Sequence, residues 1–278
     1  MKHYPCILSI AGSDCSGGAG IQADLKTISA LGAYAATAIT AVTIQNTCGV
    51  TAVHVLPPAV IEGQIEAVMT DLSPHAVKIG MVTDCETVRA IVRCLCLHRP
   101  PFVVFDPVMV STSGRQLMDS AALEAVTNEL MPRCTLITPN LPEAELLLGR
   151  SVSTPEEMCT AARHLLRYGS QAVLLKGGHL NGHLMTDVLQ LGQLPEPYLF
   201  TAPRVESGNT HGTGCTLSSA IATYLALGHP LHQAVGLAKD YVRQALVSGK
   251  EVQTGAGNGP LNHLFNPCPM HIFSEEKR

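Results

Sequence analysis

Short apolar runs alternate with amphipathic patterns along almost the whole chain. Residues 5–11 form a nearly continuous apolar run that Gly12 ends, as expected of a strand buried on both faces of a sheet. Residues 58–72 show the other pattern, with apolar side chains three or four positions apart, as on one face of a helix. Strands that alternate with helices predict a doubly wound α/β domain with a mostly parallel sheet. In such sheets ligands bind beyond the carboxyl ends of the strands.

The same two patterns locate the other elements. Further strands are predicted over 34–45, 49–56, 76–79, 102–106, 135–138 and 172–175, and further helices over 21–31, 83–97, 155–168, 214–227 and 230–248. Residues 185–190 and 198–201 are expected to pair as a hairpin. Because no repeat or long linker divides the chain, we expect a single domain over residues 1–278, with a disordered tail from about residue 270.

Residues 209–219 contain the strongest candidate for a functional site, and the other motifs are interpreted with reference to it. Their sequence, NTHGTGCTLSS, places Gly212, Thr213 and Gly214 directly before a helical pattern. A glycine turn that feeds a helix N-terminus presents unpaired N–H groups and the positive end of the helix dipole, so it predicts a phosphate site. Cys215 lies in the first helical turn, where the dipole can lower the pKa of a thiol from about 8.5 toward neutrality. It could accept a proton from, or hydrogen-bond, a substrate hydroxyl, or it could pack as a small apolar side chain.

Carboxylates occur where two other strands end. Asp106 follows a fully apolar strand, where it could act on Mg²⁺ directly or through water, or could cap a helix. Asn140 and Glu143 open a predicted helix. Glu143 is either an acid that the helix dipole favours or a carboxylate linked to a metal, and the residues alone favour the first interpretation.

Three more strand ends carry polar or soft side chains. Lys176, beside two glycines, could reach a nucleotide phosphate. Gln45 has an amide donor and a carbonyl acceptor side by side, which complements the edge of an aminopyrimidine, although a solvent-facing glutamine is the commoner case. Met81 could pack on a ring or simply fill the core.

The glycine-rich loop at residues 12–20 resembles a nucleotide site only at first sight. No lysine follows the glycines as in a P-loop, and the spacing GxGxxG of a dinucleotide site is missing. The loop could instead press its backbone against a flat substrate, with Asp14 or Asp24 as an acceptor, or it could be a tight turn. His179, His183 and Asp187 make a weak zinc candidate, because a turn interrupts them.

Composition excludes several classes of function. Hydrophobic residues make up 46% of the chain and charged residues 14%, which favours a sheet covered on both faces. The net charge is −4 and no run of Lys or Arg is present, so we expect no nucleic-acid or anionic membrane partner. Ten cysteines without a CxxC pair indicate reduced thiols and a cytoplasmic protein. No apolar stretch reaches the ~18 residues of a membrane span, and the first apolar run is too short for a signal peptide.

Six motifs stand in one order along residues 12–219: GSDCSGGAGIQAD, TAVTIQNT, KIGM, TPNLPEA, KGGH and NTHGTGCTLS. With them the chain resembles the hydroxymethylpyrimidine/phosphomethylpyrimidine kinases, the thiamine-pathway branch of the ribokinase superfamily, from about residue 6 to 259. The resemblance implies a ribokinase-like three-layer α/β sandwich, a homodimer, and the cofactors ATP and Mg²⁺. It implies two phosphorylations, first of the hydroxymethyl group of an aminopyrimidine alcohol and then of the monophosphate. The chain is too short for the fused thiamine-pathway domains of some relatives.

The resemblance also assigns roles to residues. Cys215 is the base, and the anion hole comprises Gly212, Thr213 and Gly214. Asp106 and Glu143 act on Mg²⁺. The ATP phosphates contact Asn140, Lys176 and Lys239, and the pyrimidine contacts Gly12, Asp24, Val42, Gln45 and Met81.

Two alternatives remain from the sequence. A pyridoxal-type kinase on the same scaffold would also take a flat aza-aromatic ring with a hydroxymethyl group. A non-catalytic sensor of a vitamin precursor is the distant alternative, which the intact Gly-Thr-Gly-Cys motif disfavours.

Overall fold

The computed structural model describes residues 2–109, 118–178, 180 and 182–274. Its strands are β1 (Lys2–His3), β2 (Cys6–Asp14), β3 (Tyr34–Asn46), β4 (Gly49–Val55), β5 (Ala76–Ile79), β6 (Phe102–Phe105), β7 (Leu136–Ile137), β8 (Ala172–Leu175), β9 (Leu184–Leu191), β10 (Tyr198–Pro203) and β11 (Phe273–Ser274). Its α-helices are α1 (Gly20–Ala30), α2 (Pro58–Leu72), α3 (Cys85–His98), α4 (Ser120–Ala125), α5 (Leu141–Leu148), α6 (Pro155–Leu165), α7 (Thr213–Ala226) and α8 (Leu231–Gly249).

Within the described residues, nine strands form one sheet in the order β10-β9-β8-β7-β6-β5-β2-β3-β4. The six strands from β8 to β3 in this order are parallel, and antiparallel strands flank them at both edges. All four residues of β5 and of β8 are buried, because helices cover both faces of the parallel part. The predicted mostly parallel sheet and the hairpin of β9 and β10 are confirmed.

Two apolar cores lie on opposite faces of the sheet. One contains residues of α2 to α6, such as Ile65 and Ile91, and the other contains residues of α1, α7 and α8, such as Ile28 and Ile221. The predicted amphipathic helices contribute their apolar stripes to these cores, which is the pattern from which they were predicted. The chain is therefore a three-layer α/β/α sandwich.

Two regions differ from the sequence-based expectation. Residues 118–134, for which we predicted no element, form α4, a π-helical turn at Val126–Leu130 and a 3₁₀ turn at Met131–Arg133. Part of the tail that we expected to be disordered forms β11, which pairs with β1 at the opposite end of the chain. Residues 275–278 lie outside the described residues.

All ten cysteines lie in the described part of the chain, and all are free thiols. Across the described ranges, no helix combines the length and the apolar character that crossing a bilayer requires.

Candidate active site

A cavity of about 490 Å³ lies at the carboxyl edge of the parallel strands, within the size range of small-molecule sites. The ends of β2, β3, β5, β6, β7 and β8 converge there with the N-terminus of α7. Eleven of the fourteen residues to which the resemblance assigned roles line it: Gly12, Gln45, Met81, Asp106, Asn140, Glu143, Lys176, Gly212, Thr213, Gly214 and Cys215. Parallel strands bring these distant residues together because their carboxyl ends share one edge.

Asp24, which the sequence analysis assigned to the pyrimidine, does not line the cavity. Its carboxylate is fully buried and accepts two bonds from the ammonium group of Lys78, at 2.8 and 2.9 Å. The hydroxyls of Ser9 and Ser219 donate to its two oxygens at 2.5 and 2.6 Å. A buried carboxylate needs such partners, so the structure places Asp24 in an ion pair behind the site.

Val42 and Lys239 also lie outside the residues that line the cavity. The side chain of Val42 is 41% exposed on β3. The ammonium group of Lys239 pairs with Asp187, whose other carboxylate oxygen accepts the Gly177 N–H at 2.8 Å. Lys239 therefore supports the turn that follows Lys176 instead of lining the cavity. Asp187 belonged to the zinc candidate, of which His179 lies outside the described residues.

The turn before α7 requires glycine. Gly212 has φ +85°, and a side chain there would overlap the carbonyl oxygen of Gly18. A Cβ on Gly214 would lie 3.1 Å from Oδ2 of Asp106 and 3.5 Å from the ammonium nitrogen of Lys176. The first turn of α7 therefore lies close to this ion pair. The Thr213 N–H donates to the Thr210 carbonyl at 3.3 Å, and the N–H groups of Gly214 and Cys215 are those that the helix N-terminus offers to an anion.

Asp106 and Lys176 form an ion pair at 2.7 Å, and the Thr138 hydroxyl donates to the same carboxylate oxygen at 2.9 Å. Burial opposes the charged form of Asp106, but Lys176 and Lys78 outweigh it and hold the pKa of the carboxyl below its ordinary value. The carboxylate is consequently ionised at neutral pH, with a lysine beside it at the cavity wall.

Glu143 fills the first of the two roles that the sequence analysis gave as alternatives, that of an acid at the start of a helix. It completes a capping box at the start of α5, since its carboxylate accepts the Asn140 N–H at 2.8 Å and its own N–H donates to Asn140 at 2.9 Å. It also faces the cavity. Burial and the neighbouring charge of Asp106 raise the pKa of Glu143 to about 7, although Lys176 acts in the opposite direction.

The expected lowering of the Cys215 pKa is wrong. Burial raises the pKa of the thiol to about 11, and the carboxylates of Asp24 and Asp106 add to that effect. Lys78 and the Gly20 amide lower it by less than burial raises it. Partial burial beside acidic groups therefore outweighs the helix dipole, and Cys215 is a protonated thiol before ligands bind.

Cys215 should consequently react slowly with iodoacetamide at pH 8 in the ligand-free protein. A pKa near 11 leaves a thiolate fraction about a hundredfold below that of an ordinary cysteine. Peptide mass spectrometry should show exposed cysteines such as Cys96 alkylated first. Alkylation of Cys215 ahead of Cys96 would contradict the raised pKa.

His211 was not assigned from the sequence, and Asp14, which was named there as a candidate acceptor for a flat substrate, bonds instead to the loop and to His211. Asp14 accepts the N–H groups of Gly18 and Ala19 and shapes the glycine loop, and His211 bonds to the same carboxylate at 2.8 Å. The Asp-x-Ser spacing is typical of a side chain that bonds to the backbone two residues ahead, and the Ser16 N–H does donate to Asp14 at 2.8 Å. The Asp-x-Ser spacing could therefore have predicted the role of Asp14 in the loop. No local sequence pattern could have predicted its contact with His211.

One wall of the cavity is formed by two segments far apart in sequence. Thr47, in the β3–β4 turn, accepts the Asn258 N–H at 2.9 Å through its carbonyl and the Gly257 N–H at 3.1 Å through its hydroxyl. Thr47 and Asn258 both line the cavity. These contacts join the turn to the segment after α8.

A model of the phosphomethylpyrimidine kinase family matches residues 14–262. The chain belongs to this family. It is 49% identical over 262 residues to the hydroxymethylpyrimidine/phosphomethylpyrimidine kinase of Rhizobium meliloti, covering 92% of this chain and 96% of that protein. It is 47% identical over 259 residues to the thiamine biosynthesis bifunctional protein ThiED of Geobacter sulfurreducens, covering 93% of this chain but only 52% of that protein. The chain thus spans about half the length of this bifunctional relative.

Solved structures agree on the family and the fold. The phosphomethylpyrimidine kinase of Clostridium difficile 630 is 45% identical, with a TM-score of 0.77, and covers 87% of this chain and 99% of its own. The pyridoxal kinase of Staphylococcus aureus, in complex with AMP-PCP and pyridoxal, is 32% identical with a TM-score of 0.84 and covers 98% of this chain and 99% of its own. The chain has the ribokinase-like fold of these kinases.

Proposed function

We propose that this protein transfers the γ-phosphate of ATP to the hydroxymethyl group of 4-amino-5-hydroxymethyl-2-methylpyrimidine and then to the resulting monophosphate, in thiamine biosynthesis. The observation that carries the proposal is the convergence in one cavity of the α7 N-terminus, the Asp106–Lys176 pair and Gln45. An anion site and a polar group for the edge of a heterocycle in one cavity are what this transfer needs. The names of the relatives support the same substrate class.

The transfer forms a bond between the substrate hydroxyl oxygen and the γ-phosphorus, breaks the bond from that phosphorus to the β–γ bridging oxygen, and releases ADP. Phosphoryl transfer demands positioning and neutralisation of charge more than covalent chemistry. In our proposal the N–H groups at Gly212, Gly214 and Cys215 hold the migrating phosphoryl group, and Thr213 shapes the turn, because its N–H donates to the Thr210 carbonyl. Asn140 and Lys176 hold the other phosphates, and Lys239 acts indirectly by supporting the Gly177 turn.

The residues present fit Mg²⁺ delivered with ATP. Asp106 and Glu143 face one cavity, and among the described residues no cluster of three or more His, Cys, Asp or Glu could hold a metal by itself. Mg²⁺ is usually held by one or two carboxylates together with water and substrate phosphates, which matches this donor set. When bound, Mg²⁺ would neutralise charge that develops on the phosphates.

Cys215 would orient the substrate hydroxyl, which donates a hydrogen bond to its sulfur. The sulfur can accept the proton of the substrate hydroxyl only in molecules whose thiol has ionised, and in those molecules its raised pKa makes it a stronger base, so the proton moves to it at a late stage of the transfer. Lys78 and the Gly20 amide are the groups that favour the thiolate. Elsewhere in the cavity, Gln45 would pair with the aminopyrimidine edge, and Gly12 and Met81 would contact the ring. Cys15 bonds to the backbone of Gln45, but the side-chain amide of Gln45 has no hydrogen-bond partner among the described residues, which leaves it available.

The test is mass spectrometry of the products after incubation with ATP, Mg²⁺ and the aminopyrimidine alcohol. We expect the monophosphate and then the diphosphate, with one ADP released for each phosphate transferred. Absence of both products would reject the proposed function. Light scattering in solution tests the homodimer, and cell fractionation tests the cytoplasmic location that we propose with it.

Pyridoxal-type kinase activity is the second candidate. The pyridoxal kinase of Staphylococcus aureus superposes with a TM-score of 0.84, against 0.77 for the phosphomethylpyrimidine kinase of Clostridium difficile. Sequence identity points the other way, at 32% against 45%. A coupled assay of ADP release with pyridoxal and with the pyrimidine, at equal concentrations, separates the two activities.

The requirement for Mg²⁺ should depend on pH through Glu143. With a pKa of about 7, this carboxyl is mostly protonated at pH 6 and mostly ionised at pH 8, and only the ionised form binds a metal. The Mg²⁺ concentration for half-maximal activity, measured by ADP release, should therefore fall roughly tenfold between pH 6 and pH 8.

The variant Glu143→Gln keeps an acceptor for the Asn140 N–H but has no carboxyl to titrate. Any pH dependence that remains in this variant comes from the titration of ATP and of Asp106. The variant Glu124→Gln, on α4, is the control for the effect of replacing a glutamate outside the cavity. An equal pH dependence in Glu143→Gln and the unmodified protein would contradict the role of Glu143.

A further inference from the structure

We propose that His211 binds the phosphate that the substrate carries after the first transfer, and so selects the monophosphate for the second transfer. This inference rests on the proposed function and deepens it, because an aminopyrimidine alcohol is neutral where its monophosphate is an anion. A site that handles both substrates needs a group for the added charge.

His211 is held beside the anion site by a buried carboxylate. Its Nε2 atom lies 2.8 Å from Oδ2 of Asp14, and the histidine and aspartate side chains are 15% and 2% exposed. The residue directly precedes Gly212, and it lines the cavity. Its ring is therefore fixed next to the turn that would receive the γ-phosphate.

The orientation of the ring leaves one nitrogen for a ligand. A Cβ placed on Gly18 would be nearest to Cδ2 of His211 and about equally far from its two ring neighbours, Cγ at 3.3 Å and Nε2 at 3.2 Å. Gly18 thus lies against the Cδ2 edge, and the opposite edge, with Nδ1 and Cε1, points away from it. Among the described residues Nδ1 has no hydrogen-bond partner. An imidazole nitrogen can donate to a phosphate oxygen, and a hydrogen bond to an anion is among the stronger kinds.

Among the described side chains around the cavity, His211 is the one that can bind the phosphate of the substrate. Of the side chains that line the described cavity, Lys176 and His211 are the two that carry or can gain a positive charge. Lys176 is paired with Asp106 and faces Gly214, where the migrating phosphoryl group is proposed to lie. A second phosphate would therefore meet His211 on the substrate side of that group.

The second transfer then differs from the first in its nucleophile. An oxygen of the substrate phosphate bonds to the γ-phosphorus, the bond to the β–γ bridging oxygen breaks, and ADP leaves with the displaced electron pair. The substrate must be shifted by one phosphate unit relative to the first transfer, and Nδ1 of His211 would hold the phosphate in that position.

The test compares the two substrates in the variant His211→Gln. The glutamine amide can still donate to Asp14, so the link to the glycine loop is kept while the imidazole is removed. Initial rates are measured separately with the alcohol and with the monophosphate. We expect kcat/KM for the monophosphate, divided by kcat/KM for the alcohol, to fall at least about tenfold, as for loss of a hydrogen bond to a charged group. The exposed His183 supplies the control variant His183→Gln, which should leave this ratio unchanged.

Equal losses for the two substrates would show that His211 only holds the loop, and would overturn the proposal. So would an unchanged ratio with full activity. Should the variant not fold, a crystal structure of the unmodified protein with the monophosphate decides the question. Nδ1 within about 3.2 Å of a phosphate oxygen supports the proposal, and a longer separation overturns it. Failure of the unmodified protein to phosphorylate the alcohol would instead reject the proposed function.

Discussion

Replacing Cys215 by alanine should lower kcat for the aminopyrimidine alcohol at least about a hundredfold, the range typical of loss of a general base. The sulfur is at the first turn of α7, beside the proposed path of the phosphoryl group, so its loss removes the group that orients the hydroxyl. ATP affinity, measured by calorimetry, should change little because the N–H groups of the turn remain.

The control for this variant is Cys96→Ala, which removes an exposed thiol on α3 and should keep full activity. If Cys215→Ala has near-normal turnover while remaining folded, the thiol has no part in the transfer. If ATP binding is lost together with kcat, the substitution has disturbed the turn, and the role of the sulfur must then be tested with Cys215→Ser.

Replacing Lys78 by methionine should destabilise the protein by about 3–5 kcal/mol, the usual cost of leaving one member of a buried ion pair without its partner. Lys78 and Asp24 are both fully buried, and the ammonium group contacts both carboxylate oxygens. The carboxylate would keep only the hydroxyls of Ser9 and Ser219. Denaturant unfolding followed by circular dichroism measures the loss.

The double variant Asp24→Asn with Lys78→Met should recover most of that stability, because no uncompensated charge stays buried. The single variant Asp24→Asn addresses the role that the sequence analysis gave to Asp24. If Asp24 bound the pyrimidine directly, its loss would raise KM for the alcohol without reducing stability. Because Asp24 belongs to a buried ion pair, we expect the Asp24→Asn variant to lose stability, and any change in its KM to follow from that loss.

The fold was predictable because its signals are local and repeated. Each buried strand of the parallel sheet is an apolar run, and each major helix has an apolar stripe, so most bounds agree to within two residues. The region around α4 was missed because Pro132 and a π-helical turn interrupt its periodicity. The β1–β11 pair was missed because two-residue strands from opposite ends of the chain have no pattern of their own.

The site was predictable where a residue type and a strand end coincide. Asp106, Lys176 and Gln45 all follow predicted strands, and the shared edge of a parallel sheet brings them together. The sequence could not show whether a polar side chain points into the cavity or behind it. Asp24 and Lys239 point to buried or partly buried partners, Lys78 and Asp187, on other elements. The pKa of Cys215 could not be predicted either, because it depends on burial and on carboxylates distant in sequence.

The contact between Thr47 and the segment at Gly257 and Asn258 has a consequence for biosynthesis of the protein. One wall of the cavity is made early in translation and is completed by residues translated more than two hundred codons later. A nascent chain that still lacks this segment on the ribosome has the strands of the sheet but an incomplete cavity wall. If the proposed function holds, a small substrate cannot assist the early stages of folding through this contact, and it can stabilise only the nearly completed polypeptide.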